Sequence, residues 1–221
     1  MSLLIFLIGF IVLKTQQPDK TIVINKLTSP PESVLLRQLS FNEPALASRL
    51  LSIWLQDFDY QHGQSLKYKQ LDYTHLINWL NAIQELDGDN RYPLLSASHL
   101  YSNVNDSDKL RQIIDFVANK FEQAPAREWP WMVKMVLLAQ HKLHDAELAL
   151  RLSQKLMRLT KGNKNVPRWV KQMTVFILAG EGKKEAAATL IAALLKSGEI
   201  KDPAEQHFLE QQFIKLQPNK Q

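Results

Sequence analysis

The apolar residues of this 221-residue chain follow two patterns, a short continuous run and then a long helical periodicity. Residues 2–13 are uncharged and almost entirely apolar, and Lys14 closes the run. From Asn42 onward, apolar residues recur three and four positions apart, which is the spacing of one face of an α-helix. The pattern therefore predicts an N-terminal apolar segment followed by an all-α domain.

Two helices are predicted before residue 90, and each begins with a side chain suited to an N-cap. Asn42 precedes the first helix and Asp72 precedes the second, and apolar residues flank both caps at the spacing of a hydrophobic staple. The apolar stripe of the first helix is Leu46, Leu50, Ile53, Trp54 and Phe58. The stripe of the second is Leu76, Trp79, Leu80 and Ile83. Both stripes are expected to face the core.

From Pro93 onward, short helices follow one another at regular intervals. Prolines in first turns and glycines between helices predict the ranges 93–103, 107–122, 129–141, 145–160, 167–179, 183–197 and 203–216. Paired as antiparallel hairpins, they place Trp131 and Trp169 at equivalent positions, with a repeat of about 36 to 40 residues. Such a repeat predicts an α-solenoid in which hairpins stack in chain order.

The segments from Trp131 to Ala146 and from Trp169 to Ala186 resemble tetratricopeptide-like repeats. Each has an aromatic residue in its first helix and a small residue near the start of its second helix. The resemblance implies a helical-repeat domain, although the usual Leu-Gly and Tyr positions of the first helix are absent. The run from Trp54 to Trp131 is similar to that of uncharacterised membrane-anchored proteobacterial proteins, which implies an inner-membrane location.

The N-terminal run is expected to hold the chain at a membrane. As a helix, residues 2–13 would extend about 18 Å, which is shorter than the roughly 30 Å hydrocarbon core. The predicted organisation is an anchor over 1–16, an extended linker over 17–40, a helical-repeat domain over 41–217 and a tail over 218–221. A single-pass inner-membrane protein with a periplasmic domain is the favoured topology. Lysines after the run favour the cytoplasmic side instead (Lys14, Lys20 and Lys26).

Charge is distributed unevenly between the two halves of the chain. Residues 1–110 carry nine Lys and Arg against eleven Asp and Glu, whereas residues 111–221 carry eighteen against eleven. The sharpest signal is a basic stretch, with no acidic residue between Glu147 and Glu181, which comprises Arg151, Lys155, Arg158, Lys161, Lys164, Arg168 and Lys171. It suits an acidic protein partner or anionic lipid, and an ordinary solvated helix face has the same pattern. Interleaved aromatic residues are missing, so nucleic-acid binding is not expected.

Trp129 and Trp131 flank Pro130 and are candidates for lining a groove that binds a peptide. The group His141, His144, Asp145 and Glu147 has the residue types of a metal site, but it falls at a predicted turn where Asp145 is better explained as an N-cap. The absence of cysteine removes thiolate chemistry. No metal, cofactor or small-molecule substrate is expected.

The function predicted from these features is a membrane-anchored scaffold or adaptor, without catalytic residues, that binds a protein in an inner-membrane complex. One alternative is an envelope-associated hydrolase that uses carboxylates between residues 57 and 62, where Asp57 and Asp59 lie near His62. Another is a purely structural subunit of a membrane assembly, which predicts a large exposed apolar patch.

Overall fold

The computed structural model describes residues 27–58, 68–198, 200 and 202–216, without the side chains of residues 57, 58, 168 and 171. Within these ranges the regular structure is entirely helical, as the periodicity predicts. The helices are α1 (Ser33–Leu39), α2 (Pro44–Phe58), α3 (Tyr73–Leu86), α4 (Tyr92–His99), α5 (Ser107–Gln123), α6 (Pro125–His141), α7 (Ala146–Leu159), α8 (Arg168–Lys171), α9 (Met173–Gly180), α10 (Lys184–Lys196) and α11 (Pro203–Leu216). Short 3-10 turns lie at Tyr68–Gln70 and Tyr101–Asn103.

Helices that are close along the chain also pack against one another. Both α1 and α2 pack on α3, and α4 contacts α3, α5 and α6. Helix α5 packs on α6, α6 packs on α7, and α7 packs on α9. Helix α10 then contacts both α9 and α11. Neighbouring helices therefore supply most of the interfaces that bury the apolar stripes.

Two main apolar clusters result from this packing. The larger one extends from Leu27 to Ile177 and includes the fully buried rings of Tyr73 and Tyr101. The Tyr73 hydroxyl donates to the Tyr101 carbonyl at 2.8 Å, so its polar atom is satisfied inside the core. The smaller cluster joins α9, α10 and α11, with Ile191 and Leu209 at its centre.

Local caps determine where several helices begin, but the predicted N-cap Asn42 is wrong, because α2 begins at Pro44 and Asn42 has a φ of 67°. Asp72 accepts hydrogen bonds from the backbone N–H groups of Thr74 and His75 at 2.9 and 3.2 Å, which confirms it as the N-cap of α3. The predicted stripe of α3 is buried in full (Leu76, Trp79, Leu80 and Ile83). Gly182, between α9 and α10, has a φ of 73°, a conformation that favours glycine.

Three of the predicted helix ranges are wrong. The helix predicted over 93–103 ends at His99 and is followed by the 3-10 turn. The helix predicted to begin at residue 129 begins at Pro125, where proline is compatible with the first turn, so Pro130 lies inside it. The helix predicted over 167–179 is interrupted at Gln172, because the Gln172 N–H bonds to Trp169, three residues back.

The extended linker predicted over 17–40 is wrong for residues 33–39, which form α1. Leu36 of α1 is buried against Ala82 and Leu86 of α3, and this burial makes the segment part of the helical domain. Leu27 also belongs to the main core. Burial of apolar side chains therefore extends the domain toward the N-terminus beyond the predicted boundary at residue 41.

Candidate functional site

The side of α2 that faces the core combines apolar residues with two buried serines. Ser48 and Leu55 are fully buried, and Ser52 is nearly so. The Ser48 hydroxyl donates to the Ile83 carbonyl at 2.7 Å, and the Asn90 side-chain amide donates to the hydroxyls of Ser48 and Ser52 at 2.8 and 3.0 Å. These bonds satisfy the buried hydroxyls and fix this side of α2 against α3.

The predicted orientation of α2 is consequently wrong. The side chains of Leu46, Leu50 and Ile53 are 54%, 57% and 63% exposed, so most of the predicted stripe faces outward. Trp54 is partly exposed, and its ring lies 4.7 Å from that of Trp79. The side chain of Phe58 lies outside the described residues. The network of Ser48, Ser52 and Asn90 explains the orientation, because turning α2 around would expose the leucine at position 55 and break these hydrogen bonds.

Four apolar side chains that precede α2 are exposed as well. Val34, Leu35 and Leu39 of α1, together with Phe41 in the turn before α2, are all exposed. We call the exposed side chains of Val34, Leu35, Leu39, Phe41, Leu46, Leu50 and Ile53 the α1–α2 apolar face. Single exposed leucines are common on protein surfaces, whereas such a concentration in two consecutive helices is typical of an interaction surface.

The first described residues, Leu27 and Thr28, are held by side chains of α3. His75 Nδ1 lies 2.7 Å from the Leu27 carbonyl oxygen, and Trp79 Nε1 donates to the Thr28 carbonyl at 2.7 Å. Because the Trp79 ring also contacts Trp54 of α2, residues 27 and 28 lie close to that helix. These contacts fix residues 27 and 28 against α3 and near Trp54.

The predicted basic stretch is partly neutralised by acidic residues. Arg151 forms an ion pair with Glu147 at 2.6 Å, and Lys155 forms one with Glu122 of α5. Arg158, Lys161 and Lys164 are exposed. The side chains of Arg168 and Lys171 lie outside the described residues. Two of the positive charges in this stretch are therefore paired with carboxylates.

The two tryptophans of the predicted groove are partly buried in separate contacts. The Trp129 ring packs edge-on against Trp169 with centroids 6.3 Å apart, and the Trp131 ring packs in the same way against His99 at 5.8 Å. A neighbouring open groove of about 620 Å³ follows α6 and is lined in part by Pro130, Val133 and Leu137. Neither tryptophan lines that groove.

The candidates for chemistry have structural roles or lie outside the described residues. Asp145 accepts a hydrogen bond from the Leu148 N–H at 2.9 Å and pairs with Arg111 at 2.8 Å, which confirms it as the N-cap of α7. The Leu148 bond, and then Arg111, lower the pKa of the Asp145 carboxyl. No group of three potential metal ligands occurs among the residues that the structure describes. The side chain of Asp57, and Asp59 and His62 entirely, lie outside these residues.

Two of the described charged residues are buried, and the sequence did not predict their burial. Glu128 is almost fully buried and pairs with Arg127 at 2.5 Å and with Arg91 at 3.6 Å. Arg127 also pairs with Asp89 at 2.9 Å, so this group joins the start of α6 to the turn after α3. Lys120 of α5 is buried without an ion pair to any described residue. Long-range packing alone places these side chains, which is why periodicity could not find them.

None of the protein-family models, curated proteins or solved structures compared with the chain matches it. In the described ranges, no helix has both the length and the apolar composition needed to cross a membrane. The predicted anchor, residues 2–13, lies outside these ranges. Among the described helices, α1 and α2 with the turn between them hold the largest concentration of exposed large apolar side chains.

Proposed function

We propose that this chain is a membrane-tethered helical-repeat adaptor that binds a protein partner through the α1–α2 apolar face. The observation that carries the proposal is the orientation of α2, which buries serines and exposes Leu46, Leu50 and Ile53. Packing of helices in chain order, and the hairpins that resemble tetratricopeptide-like repeats, support the repeat architecture. The location that we propose is an inner-membrane complex.

The exposed stripe of α2 has the geometry of a helix-binding surface. Leu46, Leu50 and Ile53 are spaced four and three residues apart, so they lie on one side of the helix. A partner helix can pack against such a row, and complete burial of one leucine or isoleucine contributes roughly 1.5–3 kcal/mol. The proposed partner is therefore a protein with an apolar helix of its own.

The apolar N-terminal segment would increase binding by confining the domain to the membrane surface. Residues 14–26 separate it from Leu27 and can extend at most about 45 Å. A tether of this length raises the effective concentration of a partner in the same membrane, so a modest contact surface suffices. Protease accessibility in spheroplasts distinguishes the proposed periplasmic location of the domain from a cytoplasmic one.

The first prediction concerns the α1–α2 apolar face. A photo-crosslinking residue at position 50 of the full chain should capture a different protein in native membranes. The combined substitutions Leu46→Ser and Ile53→Ser should reduce the capture at least tenfold, because they remove the apolar contacts. Crosslinked species are identified by mass spectrometry.

The matched control carries Leu95→Ser and Ile214→Ser, which change exposed apolar residues of α4 and α11. It should retain full capture, and thermal unfolding of both variants should match that of the parent protein. Crosslinking only to lipid or to a second copy of this chain would contradict an adaptor with a protein partner. Equal loss of capture in the control would also contradict it.

The second prediction concerns the exposed part of the basic stretch, which we propose as an additional contact with an acidic partner or membrane surface. Arg158→Glu and Lys164→Glu should weaken association with anionic vesicles or with the partner, and the effect should diminish at high salt. Vesicle sedimentation and co-purification provide the two measurements. Unchanged results in both would remove the basic stretch from the proposal.

The α1–α2 apolar face also favours a second candidate, a structural subunit that is permanently packed in a larger assembly. Both functions bury the same side chains, but a permanent subunit should co-purify at constant stoichiometry and exchange slowly. Pulse-labelled subunits mixed with solubilised membranes distinguish them. Exchange within minutes supports an adaptor, and no exchange over hours supports a structural subunit.

A further inference from the structure

A polar groove lies on another part of the domain, between the Pro30–Pro31 segment and the helices α3 and α5. Its volume is about 900 Å³. Five carboxamide side chains from both helices and one buried lysine are among the residues that line it. They are Asn78, Asn81, Gln112, Asn119, Gln123 and Lys120. The groove shares no residue with the α1–α2 apolar face.

The carboxamides of this groove are available to a ligand. None of the five forms a hydrogen bond with another described residue, and each can both donate and accept. Asn78 and Asn81 lie one turn apart on α3, while Gln112, Asn119 and Gln123 follow one side of α5 over about 16 Å. Two rows of the same chemical group thus line the groove on neighbouring helices.

Lys120 is the second and independent sign of a binding site. Its side chain is only 9% exposed, and it has no ion pair or hydrogen bond among the described residues. Burial lowers the pKa of its ammonium group, against the opposing effect of Glu85. Its Nζ lies 5.8 Å over the Phe116 ring and has no hydrogen-bond acceptor among the described residues, whereas the other buried charge of the described chain, Glu128, is paired with arginines. Lys120 thus lacks an acceptor that a ligand in the groove would supply.

We propose that this groove binds an extended peptide segment of a partner protein through its main chain. Lys120 would donate to one peptide carbonyl, and the carboxamides would pair with neighbouring N–H and C=O groups. A strand rises about 3.3 Å per residue, so the α5 row accommodates roughly five residues. Recognition of this kind depends on main-chain groups and tolerates many side chains.

The composition of the groove disfavours other ligand classes. Three carboxylates among its lining residues, Glu85, Asp115 and Glu122, repel phosphates and anionic lipids. Sugars usually stack on an exposed ring, but Phe116, the aromatic residue among the lining side chains, is buried. Acyl chains would leave the carboxamides without partners. A neutral ligand with alternating donors and acceptors fits best, and an extended peptide is such a ligand.

The test uses the full chain in detergent and a labelled decapeptide of alternating serine and threonine, measured by fluorescence anisotropy. A twin peptide, N-methylated at every second residue, lacks half of the main-chain donors and should bind at least tenfold more weakly. Asn81→Leu combined with Asn119→Leu should produce a similar loss. The control Gln154→Leu with Gln211→Leu, which changes exposed carboxamides outside the groove, should have no effect.

Equal binding of the peptide and its methylated twin would overturn the proposal. So would a failure of the parent protein to bind the peptide, or a preference for a tetramer of N-acetylglucosamine over it. None of these results bears on the crosslinking expected at position 50, so the groove and the adaptor proposal are tested separately.

The variant Lys120→Met distinguishes a role of Lys120 in peptide binding from a role in the stability of the fold. Methionine keeps most of the side-chain volume and its apolar packing and removes the ammonium group, so the melting temperature should stay within about 2 °C of the parent protein's. The same variant should lose peptide binding at least tenfold. A lower melting temperature together with unchanged binding would show that Lys120 serves the fold and has no ligand.

Discussion

At the residue scale, Asp145 shows how one side chain joins two parts of the domain. Its carboxylate caps α7 through the Leu148 N–H and reaches Arg111 of α5. The preceding residue, His144, has a φ of 52°, so a tight turn holds Asp145 in the capping position. His141 is the last residue of α6, and His144 lies in the turn that leads to the cap.

The third prediction follows from this cap. Asp145→Ala should reduce the free energy of unfolding by about 1 kcal/mol at neutral pH, because α7 loses its cap and Arg111 loses its partner. Asp145→Asn, which keeps a capping oxygen, should lose less. Urea denaturation measures both effects.

The pH dependence of the same residue has a definite sign. Folding lowers the pKa of Asp145 from 3.8, so its stabilisation is present above that value and is lost as the pH falls through the folded pKa. The difference between Asp145→Ala and the parent protein should therefore shrink in acid. A difference that grows below pH 4 would contradict this role of the carboxylate.

At the element scale, α2 shows that the apolar side of a helix need not be its buried side. Leu55 and the hydroxyls of Ser48 and Ser52 provide the contact with α3, and hydrogen bonds to Asn90 and Ile83 make burial of the serines possible. The stripe of Leu46, Leu50 and Ile53 is then exposed. A helix that is stable in this orientation has an apolar side available for binding.

The fourth prediction compares two leucines of α2. Leu55→Ala should cost 2–5 kcal/mol of unfolding free energy, because the side chain is fully buried and leaves a cavity. Leu50→Ala should change it by no more than about 0.5 kcal/mol, because the side chain is already exposed. Chemical denaturation of the full chain provides both values. A larger cost at position 50 would show that the chain itself covers the stripe.

At the scale of the whole molecule, the two apolar clusters divide the domain into regions of unequal size. The main cluster joins α3 to α9, while α10 and α11 depend on the smaller C-terminal cluster. Because α10 and α11 pack mainly against α9 and each other, this terminal part can open while the rest stays folded. We therefore expect the C-terminal helices to be the least stable part of the described chain.

The fifth prediction tests this division by amide hydrogen exchange. Ile191→Ala, in the small cluster, should speed exchange in residues 184–216 and leave α3 to α5 unchanged. Ile114→Ala, in the main cluster, should speed exchange throughout, because α5 contacts α3, α4 and α6. Both residues are fully buried, so their side chains form a matched pair. Uniform acceleration by Ile191→Ala would indicate a single cooperative bundle.

The sequence by itself determined the helical class and many of the helix boundaries. The N-caps Asp72 and Asp145 bond to residues two or three positions away, so their signals are complete within a short segment. The stripe of α3 could likewise be predicted, since it contains large apolar residues without competing polar partners. The anchor, the repeat architecture and the adaptor function remain predictions from the same chain.

Only the tertiary structure decided which side of α2 is exposed and which charges are buried or paired. Ser48 meets the carbonyl of Ile83, and Lys155 meets Glu122, across more than thirty residues in each case. Hydrophobic periodicity reports how residues are spaced along one helix, but it gives no information about partners that are distant in the sequence. The two candidate binding surfaces, the α1–α2 apolar face and the carboxamide groove, therefore came into view only when neighbouring helices were packed together.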